Sequence, residues 1–135
     1  METFCKDIVD FHEKFKREYN GSPRSLTDKE FLFRFNALLE ELMEYYDARN
    51  KNKLDKEFDA LIDLVYFALG TAYQQGLDFK EGWKRVHAAN MKKIPAKTDS
   101  DSKRGSSLDI VKPINWEEPD LRDLVTKNKD WPTDY

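Results

Sequence analysis

A single cysteine, Cys5, rules out an internal disulfide, so cross-linking plays no part in holding this chain together. Cys5 itself is expected to be a small buried hydrophobe and not a nucleophile. Glycine and proline are scarce, five of each in 135 residues, which disfavours a turn-rich β-sandwich. No apolar run approaches the ~20 residues that span a bilayer, so no membrane partner is expected. The N-terminal stretch METFCKDIVDFHEKFK lacks the basic and apolar regions of a secretory signal, and a cytoplasmic location is expected. Only two histidines occur, with no HExxH and no DxDxDG loop, which argues against a zinc site and an EF-hand. Long basic runs are also missing, and the net charge is −3. Nucleic acid is therefore not an expected partner, and any phosphate bound is that of a small ligand.

Charged residues, at 36%, and helix-compatible apolar residues fill the space, which points to an all-α chain. Phe4, Ile8, Phe11 and Phe15 recur at helical spacing and predict a first helix over 4–18. GSPRS breaks the pattern. Thr27 followed by Glu30 is a capping-box signature for a second helix reaching about Asn50. A third helix is predicted over 55–75, stopped at Gly76, which suits a left-handed helix end. A shorter fourth covers 78–93. After Ile94-Pro95 the composition turns polar and then proline-containing. The expectation is a helical catalytic domain over 1–94 and an extended tail over 95–135 that wraps the domain or a partner subunit.

On a helical wheel, Phe31, Phe35, Leu38, Leu42, Tyr45 and Tyr46 form one stripe of the second helix, expected to face the core. Glu40, Glu41 and Glu44 share a sector at its border, where like charges repel. A solvated acidic face is the ordinary outcome for such glutamates. The third helix is apolar almost all round, the pattern of a buried helix, and its acids within that apolar run are Asp59 and Asp63, four residues apart. Buried carboxylates need a cationic partner, a proton or a metal. A salt bridge would require basic residues, yet the second helix faces them with acids. Two antiparallel helices of this kind would bring four or five carboxylates together, and all-oxygen ligation suits a hard divalent ion such as Mg²⁺, or Mn²⁺ in its place, with a polyphosphate substrate.

These segments resemble the MazG-like, all-α nucleoside triphosphate pyrophosphohydrolase superfamily, which also contains phosphoribosyl-ATP pyrophosphohydrolase and the dimeric dUTPases. The E-E-x-x-E motif stands as Glu40, Glu41 and Glu44, with Arg34 where relatives often carry arginine. DALIDLVYFALGTAYQQGLDF is similar to the second acidic helix and holds Asp59 and Asp63. EGWKRVHAANMKKI is similar to an E-V-H-x-x-N-M-x-K segment, giving Val86, His87, Asn90, Met91 and Lys93, and VKPINWEEPDL looks like the lysine-proline ending of one branch. The likeness covers about residues 30–121. It departs at the second acidic helix: many members have E-x-x-D, whereas position 60 is Ala and the acid falls at Asp59.

The resemblance implies a four-helix bundle, assembled as a homodimer or homotetramer, that cuts an NTP or dNTP to the monophosphate and pyrophosphate through a metal-activated water. In that picture Glu41, Glu44, Asp59 and Asp63 hold the metal, with Asp59 direct or through water. Glu40 and Glu41 are the catalytic carboxylates, one taking the proton from water. Arg34, Asn90, Lys93 and Lys112 contact the substrate, with Arg104 a further candidate for phosphate. His87, Trp83, Tyr66 and Tyr73 are expected to pack. A purine such as dGTP or GTP, as for phage-type dGTP-directed members, is the first substrate to consider. The alternatives are a dUTPase, a phosphoribosyl-ATP hydrolase, or a non-catalytic helical interaction module.

Overall fold

The computed structural model describes residues 2–126, so the last nine positions of the expected tail lie outside the described residues. Four helices run through that span: α1 (Glu2–Lys14), α2 (Asp28–Asn50), α3 (Leu54–Gln74) and α4 (Phe79–Asn90). A two-residue antiparallel ladder, β1 (Ile94–Pro95) with β2 (Ile110–Val111), and two single 3₁₀ turns complete it. The chain is all-α, as its composition predicts. It divides into two units, one running to Lys80 and the other comprising Glu81–Asp123, the boundary falling in the first turn of α4.

In the first unit α2 and α3 pack along each other as a hairpin, and α1 lies on α3. The predicted capping box is formed: Thr27 Oγ1 accepts from Glu30 N at 3.3 Å, and Glu30 Oε2 accepts from Thr27 N at 2.9 Å. Arg24 clamps the same carboxylate with both guanidinium nitrogens, at 3.0 and 3.1 Å, while its Nε donates to Gln74 O at 3.0 Å. The start of α2 is thereby tied to the end of α3. Arg24, with Thr27 assisting, holds the Glu30 carboxyl down at about 2.

The first three helices end in the same Schellman pattern. Arg17 N donates to His12 O and Lys16 N to Glu13 O; Lys53 N donates to Ala48 O and Asn52 N to Arg49 O; Leu77 N donates to Ala72 O and Gly76 N to Tyr73 O. The pivot residues are left-handed, with φ of 54° at Lys16, 51° at Asn52 and 67° at Gly76. Lys16 carries no sequence signal for this, and α1 consequently ends four residues before the predicted boundary. At Gly76 an added Cβ would stand 2.8 Å from Gly21 O and 2.9 Å from Tyr19 Cε1. Strain and clash together are expected to make Gly76→Ala cost about 2 kcal/mol or more, whereas Lys16→Gly should gain roughly 0.5 kcal/mol by relieving the left-handed penalty. Urea unfolding midpoints of the two variants, moving in opposite directions from wild type, check this.

The core is small. Cys5, Ile8, Leu69 and Tyr73 are buried together, with Val9, Tyr19, Tyr66 and Phe79 against them. Burial pushes the Cys5 thiol up, as fits a packed hydrophobe. The buried face of α1 runs through Cys5, Ile8 and His12, while Phe4, Phe11 and Phe15 are exposed. The face of α2 against α3 carries Leu38 and Tyr45 half-buried and Ala48 buried; Phe31, Phe35, Leu42 and Tyr46 of the predicted core stripe are more than half exposed. On α3 the C-terminal half is covered at Leu69, Ala72 and Tyr73, but Phe58, Leu61, Ile62 and Val65 are open. α3 is thus not buried throughout: apart from Ala60, its buried residues lie in the C-terminal half.

In the second unit Trp116 Nε1 donates to Ala89 O at 2.7 Å, and Arg85 pairs with Glu81 and Asp123. Arg104 and Ser102 both engage Asp109, closing the turn that leads into β2. No described helix is long and apolar enough to cross a membrane.

Candidate active site

Glu41 sits on the α3-facing side of α2, about two turns beyond Arg34, and is half-buried. Its Oε2 is shielded from solvent and has no hydrogen-bond partner. Burial raises the Glu41 carboxyl above the ordinary range, and the charges of Glu44, Asp63, Glu40 and Asp59 raise it further. These are the five acids that the sequence singles out. The fold therefore brings the other four within electrostatic reach of Glu41, a carboxylate that nothing among the described residues neutralises.

It does not gather them into contact. Among the described residues no three His, Cys, Asp or Glu side chains stand close enough to hold an ion as they lie. Asp63 is half-buried, whereas Glu40, Glu44 and Asp59 are exposed. Asp59 has an exposed ion pair with Lys56 at 3.6 Å, a basic partner from its own helix that the sequence reading overlooked, and one of little energetic weight at such exposure. The donor set nevertheless fits a hard divalent cation: all oxygens, net negative, with an orphaned shielded oxygen at its centre.

Two helical turns back along α2, Arg34 borders a cleft of about 650 Å³ lined by Phe11, His12, Leu26, Phe33 and Phe67. Its Nη2 stands 3.3 Å from His12 Nε2, and its guanidinium lies 5.7 Å from the Phe33 ring centre. His12 is buried, and its Nδ1 donates to Ile8 O at 2.7 Å. That bond fixes the neutral tautomer whose Nε2 accepts from Arg34. Burial, outweighing the Ile8 bond, lowers the His12 pKa, and Arg34 lowers it further. The sequence reading did not select His12. Its signal, a histidine at i+4 from Ile8 and i+7 from Cys5 on the buried face of α1, becomes visible only once that face is known.

Asn90, Lys93 and Lys112 belong to the second unit. Asn90 ends α4 and is exposed. The ammonium groups of Lys93 and Lys112 both stand over the Trp116 ring, 5.3 and 4.5 Å from its centre. Two lysines that the sequence assigns to substrate contact are thus brought together, although Lys112 also meets Glu118 at 3.6 Å. Arg104 is engaged by Asp109. Tyr73 packs in the core and Tyr66 against it, as expected; Trp83 and His87 are exposed on α4.

A helical hairpin with an acid cluster at its seam and a cleft beside it is the architecture expected of nucleotide pyrophosphohydrolases. A profile of the phosphoribosyl-ATP pyrophosphohydrolase family matches residues 8–90, from the buried face of α1 to the last residue of α4. The chain belongs to that family and is a pyrophosphohydrolase, a hydrolase of phosphoanhydride bonds. Enzymes of this family are generally metal-dependent. The match takes in His12 and excludes the tail after Asn90. No curated protein matches the chain.

Proposed function

We propose that the chain is a Mg²⁺-dependent nucleoside triphosphate pyrophosphohydrolase, converting an NTP or dNTP to the monophosphate and pyrophosphate. The observation that carries this reading is the shielded, unpartnered Glu41 oxygen ringed by Glu40, Glu44, Asp59 and Asp63. Glu41, Glu44, Asp59 and Asp63 would hold the cation, which supplies Lewis acidity and neutralises polyphosphate charge when bound. Glu40, exposed and outside the ligand set, takes the proton of the attacking water. Arg34 would face the nucleoside, and Asn90, Lys93 and Lys112 are the further candidates for substrate contact. In this reading 1–94 is the catalytic domain, 95–135 a tail that serves it or a partner subunit, the enzyme is cytoplasmic, and it works as a homo-oligomer. Purine nucleotides such as dGTP or GTP, the substrates of the phage-type members it resembles, are the first to test. Phosphoribosyl-ATP is the second reading, supported by the family match.

Purified protein incubated with Mg²⁺ or Mn²⁺ and each of the eight common NTPs and dNTPs, and with phosphoribosyl-ATP, is expected to release pyrophosphate from at least one nucleoside triphosphate. Release from phosphoribosyl-ATP alone would transfer the activity to the second reading. Cleavage of none of them, or products limited to orthophosphate and a diphosphate, would overturn the proposal.

A further inference from the structure

We infer that the cleft beside Arg34 is the nucleobase pocket and that Arg34 reads a base edge carrying two adjacent hydrogen-bond acceptors, so that guanine and cytosine are selected over adenine and uracil or thymine. This rests on the placing of the polyphosphate at the Glu41 cluster.

Position comes first. Arg34 and Glu41 are seven residues apart on one face of α2, about 10 Å at a rise of 1.5 Å per residue, and Asp63 and Gly70 are spaced identically on α3. The span from the α-phosphate to the far edge of a base is of that order, so a nucleotide whose phosphates meet the acids places its base in the cleft. The cleft is of ligand size, about 650 Å³. Its walls at Phe11, Leu26, Phe33 and Phe67 suit a flat aromatic ring, and the exposed Arg17 and Lys29 also border it.

Of the polar groups that line it, the half-buried Arg34 is unusual. It has no ion pair among the described residues. Glu30, the acid that acts on it, has both carboxylate oxygens taken up by Arg24 and Thr27. The guanidinium is held instead by a neutral acceptor, His12 Nε2, itself locked by Ile8 O. Gly70 makes room for the pair, since a Cβ there would stand 3.1 Å from Arg34 Nη1 and 3.3 Å from His12 Cε1. A desolvated guanidinium left unneutralised is costly, and its unused N–H groups ask for acceptors from a ligand. His12 is the positioning residue of this arrangement.

A guanidinium only donates. Guanine offers N7 beside O6, and cytosine offers N3 beside O2. Adenine sets an amino donor next to both N7 and N1, and uracil and thymine have N3–H between their carbonyls, so each of these leaves one N–H facing a donor or unpaired. A good bidentate pair discriminates by about tenfold or more.

The test is binding, which needs no turnover. Full-length protein with Mg²⁺ is titrated calorimetrically with non-hydrolysable α,β-imido triphosphates of guanosine, cytidine, adenosine and uridine. Guanine and cytosine are expected to bind about tenfold tighter than adenine and uracil. A 7-deazaguanine analogue should lose about tenfold against guanine. Arg34→Met should level the series and erase the 7-deaza penalty. Arg34→Lys, which keeps charge but not the fork, should also level it, so the inference remains testable should the methionine variant fail to fold. Glu41→Gln should keep the preference while losing turnover, which separates failure of this pocket from failure of the proposed chemistry. Equal binding of the four bases, preference for adenine or uracil, or a preference that survives in the Arg34 variants would overturn the inference.

Discussion

Glu41→Gln is expected to abolish pyrophosphate release and at the same time to raise the thermal midpoint of the metal-free protein. The two effects have one cause. In the free protein Oε2 of Glu41 is shielded and unpartnered, and four further acids act on it. Burial and like charge both disfavour the ionised form. A carboxyl whose folded pKa lies above its unfolded value contributes stability below the unfolded pKa and loses that contribution as pH rises through the folded one. At neutral pH wild type therefore carries an uncompensated charge that glutamine, nearly isosteric and neutral, removes. The stability difference between variant and wild type should widen from acid to neutral pH. Turnover should move the other way, because glutamine cannot supply the anionic oxygen; a loss of about 10²–10⁴-fold is expected, the range for removing a positioned carboxylate. Glu44→Gln and Asp63→Asn should also abolish turnover with the helical spectrum intact, whereas Asp59→Asn, at an exposed and Lys56-paired position, should lose less. Product assays at saturating Mg²⁺ and thermal melts in chelator, run on one panel of variants, check both halves. An active Glu41→Gln enzyme would remove Glu41 from the site.

What the sequence made legible followed from short-range rules. The Thr27–Glu30 capping box and the left-handed Gly76 depend on neighbours within a few residues, and both stand as the pattern predicts. The acids of α2 and α3 were legible because charge in apolar surroundings must be explained chemically, and those acids do act on one another through Glu41. Burial was read less well. Period alone places Phe31, Phe35, Leu42 and Tyr46 on one stripe, but it cannot say whether another helix of the same chain reaches that stripe; among the described residues these four stay more than half exposed. The buried face of α1 is offset from its phenylalanines because Cys5, Ile8 and His12, smaller or more polar, are the residues that fit closely against Leu69 and Tyr73. A histidine mid-core and an arginine resting on it carry no sequence signature, so the Arg34–His12 pair emerged only from the fold. The left-handed Lys16 escaped for the same reason that Gly76 did not: lysine has no preference for that conformation.

The uncovered stripe leads to the second large effect. On α2, Phe31, Phe35, Leu39, Leu42 and Tyr46 follow helical spacing along one face, and each is between 45% and 62% exposed. On α3, Phe58, Leu61, Ile62 and Val65 continue the face that α1 covers further along, and they are exposed by 44% to 65%. Isolated surface apolar residues need no explanation, but two contiguous helical stripes of aromatic and branched residues are what an interface presents. Closed two-fold assemblies are the usual way such self-complementary faces are buried, which is the basis for proposing a homodimer or a dimer of dimers. If the stripes were ordinary surface, Leu39→Glu and Ile62→Glu would change stability by no more than about 0.5 kcal/mol and leave activity untouched. In an oligomer each places a carboxylate in an apolar contact, repeated by symmetry, where an unpaired charge costs several kcal/mol. Light scattering at low micromolar concentration should then show wild type at a multiple of 16.0 kDa and each variant at or near the monomer mass. Pyrophosphate release should fall with the assembly, since the open faces of α2 and α3 belong to the same helices that carry Glu41 and Asp63. A wild-type chain that is fully active as a 16.0 kDa monomer would refute the assembly and leave the catalytic proposal standing on a single hairpin.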